Sequence, residues 1–202
     1  MIEFCKFLLR VVLGVFYKVE LYGRENIPES GGLILCSNHL AELDMLFIGY
    51  RIKRHVRWMA KEELFRFPPI GAFLKSLGAY PIKRGKGDID SIKTTLKLLE
   101  EGNIVGIFPE GTRTLGKKDK KITVKRGAAL IAQKANVPIL PVAIKSDYRL
   151  FGRVRVIFGK PFMLDLDKEK KYTSEEMTEI SKGIMDKIYS LMEENQVGNN
   201  PC

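Results

Sequence analysis

Three stretches, "GLILCSN" (residues 32–38), "NIVGIF" (103–108) and "VPILPVAIK" (137–145), are apolar almost without interruption over the length of a strand. A strand with one face in water alternates apolar and polar side chains. A continuous apolar run belongs in a sheet covered on both faces. Segments with helical spacing lie between these runs. Residues 88–101 put Ile89, Ile92, Leu96 and Leu99 on one stripe, with Gly102 just past the end. Residues 126–136 form a short Ala-rich helix. A last helix opens on a capping box, Thr173 with Glu176, and runs to about residue 195. "YKVELYG" (17–23) and "RVRVIFG" (153–159) add strands, and "HVRWMAK" (55–61) and "GAYPIKR" (78–84) add two weaker ones. Strands alternating with helices predict a single α/β domain with a mixed, mainly parallel sheet flanked by helices.

The 202 residues are 45% hydrophobic, enough for one domain with a substantial core, and carry a net charge of +10. That charge calls for an anionic partner: nucleic acid, a membrane surface or a phosphorylated small molecule. Three scattered cysteines (Cys5, Cys36, Cys202) suit neither a metal site nor a disulfide framework. Residues 4–17 are nearly all apolar, broken by Lys6 and Arg10. As a helix they reach about 21 Å, short of the roughly 30 Å hydrocarbon core. Lys6, Arg10 and Lys18 fall in a narrow stripe, which leaves a helix packed on the core as the second reading and favours residues 1–18 as a membrane-interface helix. Its basic stripe would turn toward anionic headgroups, with apolar side chains such as Phe7 as the anchor.

Three loops carry unusual side chains at strand ends, where α/β sheets collect their reactive groups. In "SNHLAELD" (37–44), a histidine and an aspartate stand five positions apart. Histidine accepts a proton from an alcohol near neutral pH, and a carboxylate on its other ring nitrogen fixes tautomer and orientation. A helix beginning at Leu40 would set His39 at its mouth and Asp44 one turn in. In "FPEGTRT" (108–114), Gly111 allows a tight turn, backbone N–H groups and Thr112 can hold an oxyanion, and Arg113 offers a donor fork for phosphate. "GTRTLGKK" (111–118) nearly matches a nucleotide-binding P-loop, but Lys118 replaces the magnesium-binding hydroxyl, which excludes that reading. "YPIKRG" (80–85) brings Lys83 and Arg84 to a turn, with Lys61 at the end of the preceding strand.

Taken together, "NHLAELD", "GAYPIKR", "FPEGTRT" and "VPILPVA" resemble, in order, the four motif blocks of the 1-acyl-glycerol-3-phosphate acyltransferases of the glycerolipid acyltransferase superfamily. The resemblance spans residues 11–162 and rests chiefly on the first and third blocks. It implies an acyltransferase domain over residues 19–202, with His39 as general base and Asp44 orienting it. Arg84, Glu110, Gly111, Thr112, Arg113 and Lys61 would bind the glycerol phosphate end of lysophosphatidate. One departure is visible, Lys83 standing where the second block often has Asp. The fourth block implies an acyl-chain pocket at Val137, Pro138 and Pro141.

The implied reaction moves a fatty acyl chain from an acyl thioester to the sn-2 hydroxyl, giving phosphatidate. The donor is acyl-CoA or acyl carrier protein, with no cofactor and no metal. G-x-S-x-G is absent, which favours direct transfer over an acyl-enzyme. The expected location is the cytoplasmic face of the membrane. A sibling enzyme acting on glycerol-3-phosphate or another lysophospholipid would carry nearly the same motifs. A nucleic-acid-binding protein would show aromatic residues interleaved with Arg and Lys, or a groove-reading motif, and neither is present. A non-catalytic membrane adaptor has no need of His39 and Asp44.

Overall fold

The computed structural model describes residues 2–82, 89–115 and 123–194. Among these residues seven strands form one sheet: β1 (Lys18–Tyr22), β2 (Leu33–Ser37), β3 (Val56–Lys61), β4 (Tyr80–Ile82), β5 (Ile104–Ile107), β6 (Ile139–Lys145) and β7 (Arg153–Phe158). Their spatial order is β1-β7-β6-β2-β5-β3-β4. Every neighbouring pair is parallel except β6 with β7, so five strands run one way and the edge pair β7 and β1 runs the other.

Among the described residues six α-helices cover the faces: α1 (Ile2–Phe16), α2 (Asp44–Gly49), α3 (Pro68–Ser76), α4 (Ile89–Glu100), α5 (Gly127–Ala135) and α6 (Ser174–Glu194). Strand pleating explains the apolar runs. Along β2, Leu33 and Leu35 join one buried cluster with Leu13 of α1, Phe47 and Ile48 of α2 and Leu74 of α3. Ile34 and Cys36 join the opposite cluster with Leu99 of α4, Ile131 of α5 and Ile184 and Ile188 of α6. Both faces of the central strands are therefore dry, as continuous apolar sequence requires.

Local signals hold where they are strongest. Gly102 ends α4 at φ 79°. The capping box before α6 is formed, with Thr173 N–H donating to Glu176 Oε2 (2.6 Å) and Glu176 N–H to Thr173 Oγ1 (3.1 Å). Helix α3, which starts on a Pro-Pro step, is an element that the sequence patterns did not separate from its surroundings.

Two expectations are corrected here. Lys6 does not belong to an outward basic stripe. It is buried, and its ammonium donates to the carbonyls of Ile52 and Lys53, both at 3.3 Å. Leu13, two turns on, faces the core beside it, so the buried side of α1 carries the lysine. The exposed side carries Phe7, Leu8, Val11, Val12 and Val15, together with Arg10. The second correction concerns Val137, Pro138 and Pro141. Strand β6 runs parallel to β2 with Ile34 opposite Ile139 and Ser37 opposite Val142. Val137 and Pro138, level with Gly32 and Leu33, therefore lie at the N-terminal end of the sheet, with His39 beyond the other end, about 20–23 Å away for six to seven residues of extended chain. Pro141, opposite Cys36, is buried in mid-strand. Pro141 offers no surface to a bound chain, and Val137 and Pro138 could meet only the far end of one.

Candidate active site

Register brings the two strongest motifs together. Strand β2 pairs with β5 so that Cys36 faces Ile107, and three further residues along each chain bring His39 level with Glu110. Both motifs leave the C-terminal edge of the sheet, where β2 sits between β5 and β6 and the chain departs to opposite sides. Asn38 extends that edge with its side chain. Its amide donates to Ile144 O (2.9 Å) and its carbonyl accepts from Ile144 N–H (2.8 Å), as a further residue pair of the ladder would.

The segment after His39 is not the helix expected from Leu40. Helix α2 starts at Asp44, and residues 39–43 wrap around the Asp44 carboxylate instead. Oδ2 accepts the N–H of Leu40 (2.6 Å), the N–H of Ala41 (3.0 Å) and the His39 ring at Nδ1 (2.8 Å). Oδ1 accepts the hydroxyl of Tyr148, from the loop between β6 and β7. Asp44 is wholly buried and the His39 side chain 12% exposed. The carboxylate fixes the protonated Nδ1, so Nε2 carries the lone pair and faces away from Asp44. Among the described residues no hydrogen bond reaches Nε2. The ring stacks on Phe108 (centroids 4.0 Å, 13° between planes), and Phe108 stacks on Trp58 (5.1 Å, 13°). Trp58 in turn lies across Gly106, where a Cβ would fall 2.3 Å from its ring, so this strand position must be glycine.

The third motif supports the first. Thr114 donates its N–H (2.9 Å) and its hydroxyl (2.8 Å) to His39 O, and Leu115 N–H donates to Leu40 O (3.2 Å). Gly111 turns the loop at φ 65°, its N–H bonded to Phe108 O (2.9 Å). Arg113, half exposed, pairs with Glu42 at the mouth, and Thr112 is exposed beside it. Lys61 is exposed at the same sheet edge, since Trp58 faces Gly106 in the register. Arg84 lies outside the described residues.

Glu110 departs from its expected place at the substrate. It is buried, accepting the backbone N–H of His39 at Oε2 (2.8 Å) and the Tyr189 hydroxyl at Oε1 (2.5 Å). Burial raises its pKa, only partly offset by the Tyr189 and His39 hydrogen bonds. Between the unfolded value, about 4.3, and the raised folded value, the native state binds more protons than the unfolded chain. Glu110 therefore contributes a stability that declines as pH rises through that window. Glu110→Gln keeps both contacts, its oxygen accepting from His39 and its amide donating to Tyr189, and removes the titration. Melting curves between about pH 4 and 7 should show the variant gaining on the parent as pH rises. Parallel curves would mean that Glu110 titrates normally.

Tyr148, Tyr189 and Asn38 escaped the sequence reading. Tyr148 and Tyr189 come from segments with no motif, 104 and 79 residues away from their partners. Cys36 and Ser37 are excluded as nucleophiles. The Cys36 thiol is buried, which pushes its pKa up to about 12, and the Ser37 hydroxyl is buried and donates to Asn38 O (3.0 Å).

A histidine backed by a buried carboxylate, with an arginine at the mouth and neither Cys36 nor Ser37 free to act as nucleophile, is an arrangement suited to general-base group transfer on an α/β sheet. The sequence model of the acyltransferase family matches residues 18–145. A 1-acyl-sn-glycerol-3-phosphate acyltransferase of Bacillus subtilis is 40% identical over 167 residues, covering 80% of this chain and 82% of the relative. One from Borreliella burgdorferi is 30% identical over 186 residues, 87% and 72% of the two chains. The crystal structure of the 1-acyl-sn-glycerophosphate (LPA) acyltransferase PlsC from Thermotoga maritima shares the fold. Its TM-score is 0.74 at 24% identity, over 98% of this chain and 81% of that one. The chain belongs to the acyltransferase family, among the 1-acyl-sn-glycerol-3-phosphate acyltransferases.

Proposed function

We propose that this protein transfers a fatty acyl group from an acyl thioester to the sn-2 hydroxyl of 1-acyl-glycerol-3-phosphate, giving phosphatidate. The observation that carries this reading is His39, bonded to Asp44 through Nδ1 with Nε2 left to other partners, and held at its carbonyl by Thr114, the residue after Arg113. Nε2 takes the hydroxyl proton as the oxygen attacks the thioester carbonyl. Asp44 stabilises the imidazolium. The tetrahedral intermediate then expels the thiolate, which recovers the proton from His39, so no acyl-enzyme forms. Arg113, Lys61 and Arg84 supply positive charge for the acceptor phosphate, with Thr112 and the Gly111 turn shaping that side of the mouth. Acyl-CoA or acyl carrier protein is the donor.

The same reading puts the protein at an anionic membrane surface. Among the described residues no helix is long and apolar enough to cross a membrane. Helix α1 nevertheless exposes an apolar face, and Phe67, Ile70 and Phe73 expose another on and beside α3. Such faces lie in the interface plane.

An acyl-transfer assay that follows released thiol tests the reaction. Lysophosphatidate is expected to outrun glycerol-3-phosphate and other lysophospholipids, and a reversed preference would move the enzyme to a sibling activity. Arg113→Ala should raise the KM for lysophosphatidate about ten- to hundredfold, the worth of one hydrogen bond to a charged group, and leave the donor KM in place. Unaltered acceptor kinetics would make residues 108–114 a support for His39 and nothing more.

A further inference from the structure

The loop between β6 and β7, residues 146–152, has an outer half that the transfer step does not use. Leu150 is 62% exposed and Phe151 69%. Tyr148 (φ 54°) and Phe151 (φ 60°) both hold left-handed backbone, which bulky residues rarely adopt. That conformation persists because both ends are tied. Tyr148 donates to Asp44 at the inner end. At the outer end Phe151 N–H donates to Phe16 O (2.7 Å), and the two rings meet at 6.4 Å. Phe151 is thereby held outward beside the last turn of α1, where Val12, Val15 and Phe16 are also exposed. Around the tip lies a hollow of about 550 Å3 that includes Lys145, Arg149, Arg153 and Arg155. Two carboxylates answer these cations, Asp147 to Arg149 and Glu20 to Arg153 and Arg155.

We propose that this loop is a second lipid-contact element, in which Leu150 and Phe151 enter the bilayer boundary alongside the exposed face of α1 while the basic rim meets anionic headgroups. The proposal rests on the membrane reading above. An anionic bilayer satisfies both halves of the surface, charge at the rim and apolar area at the tip. An acidic protein would satisfy only the first. Because Tyr148 stands three residues from Phe151, docking through this loop sets the His39–Asp44 pair directly at the surface that holds a lipid acceptor.

The test compares two double variants of the full chain. Leu150→Ser/Phe151→Gly removes the apolar tip, and glycine accepts the left-handed backbone without strain. Val11→Asp/Val15→Asp blocks the α1 face. Binding is measured by sedimentation with vesicles of phosphatidylcholine and phosphatidylglycerol, beside kcat/KM on a short-chain, monomeric lysophosphatidate. The loop variant should partition about ten- to hundredfold less, as expected for losing two partly inserted side chains, with monomer kinetics unchanged. Leu150→Ser alone should give a smaller fall and serves if the double variant misfolds. Parent-like binding by the loop variant, with binding lost in the α1 variant, would overturn the loop and leave the membrane reading standing. Vesicle binding that neither variant weakens, or that the parent lacks, would overturn both.

Discussion

His39→Ala is expected to lower acyl transfer by about two to four orders of magnitude, the usual contribution of a positioned general base. The fold should survive the change. Asp44 would still be held by the N–H groups of Leu40 and Ala41 and by Tyr148, so no buried carboxylate is orphaned. The backbone of His39 would still bond to Glu110 and Thr114, because those contacts use its N–H and C=O. What is lost structurally is the stacking on Phe108, worth about 1 kcal/mol. The fall should appear in kcat with the acceptor KM little changed, since the imidazole works on the reacting hydroxyl and not on the phosphate. Near-parental turnover would remove His39 from the mechanism.

Asp44→Asn separates charge from shape. The asparagine oxygen can accept the same three N–H groups, and its amide can donate to the Tyr148 hydroxyl oxygen, so the turn around residue 44 has every bond it needs. The missing element is the negative charge opposite the imidazolium that forms as the hydroxyl loses its proton. Turnover should fall by about two to four orders of magnitude with a melting temperature close to the parent's. A collapse of stability at the same substitution would mean that Asp44 acts mainly as a scaffold for residues 39–43. Full activity would mean that the imidazolium never forms.

The fold was legible because burial leaves its mark on every strand. The runs at 32–38, 103–108 and 137–145 had to lie between two helical layers, and they do. The contact between His39 and Asp44 was legible because the two residues are close in sequence. The helix drawn between them was not right. A buried carboxylate collecting three N–H donors wins over helix continuation, and helical spacing does not register that competition. Lys6 shows the opposite failure. Periodicity gives a stripe without saying which side of it the rest of the chain will cover, and the carbonyls of Ile52 and Lys53 drew the lysine inward.

Pattern by itself determined the α/β class and singled out His39, Asp44 and the loop at 108–114 as the candidate site. Tertiary structure alone decided what surrounds that pair. Parallel register set Glu110 under the backbone of His39 and sent Val137 and Pro138 to the far end of the sheet. Loop closure over 104 residues brought Tyr148 onto Asp44. The division has a physical reason. Burial and local hydrogen bonding act on each residue through its neighbours in sequence. Pairing register and loop return are properties of the whole chain, paid for by the core as a unit, and no window of residues carries them.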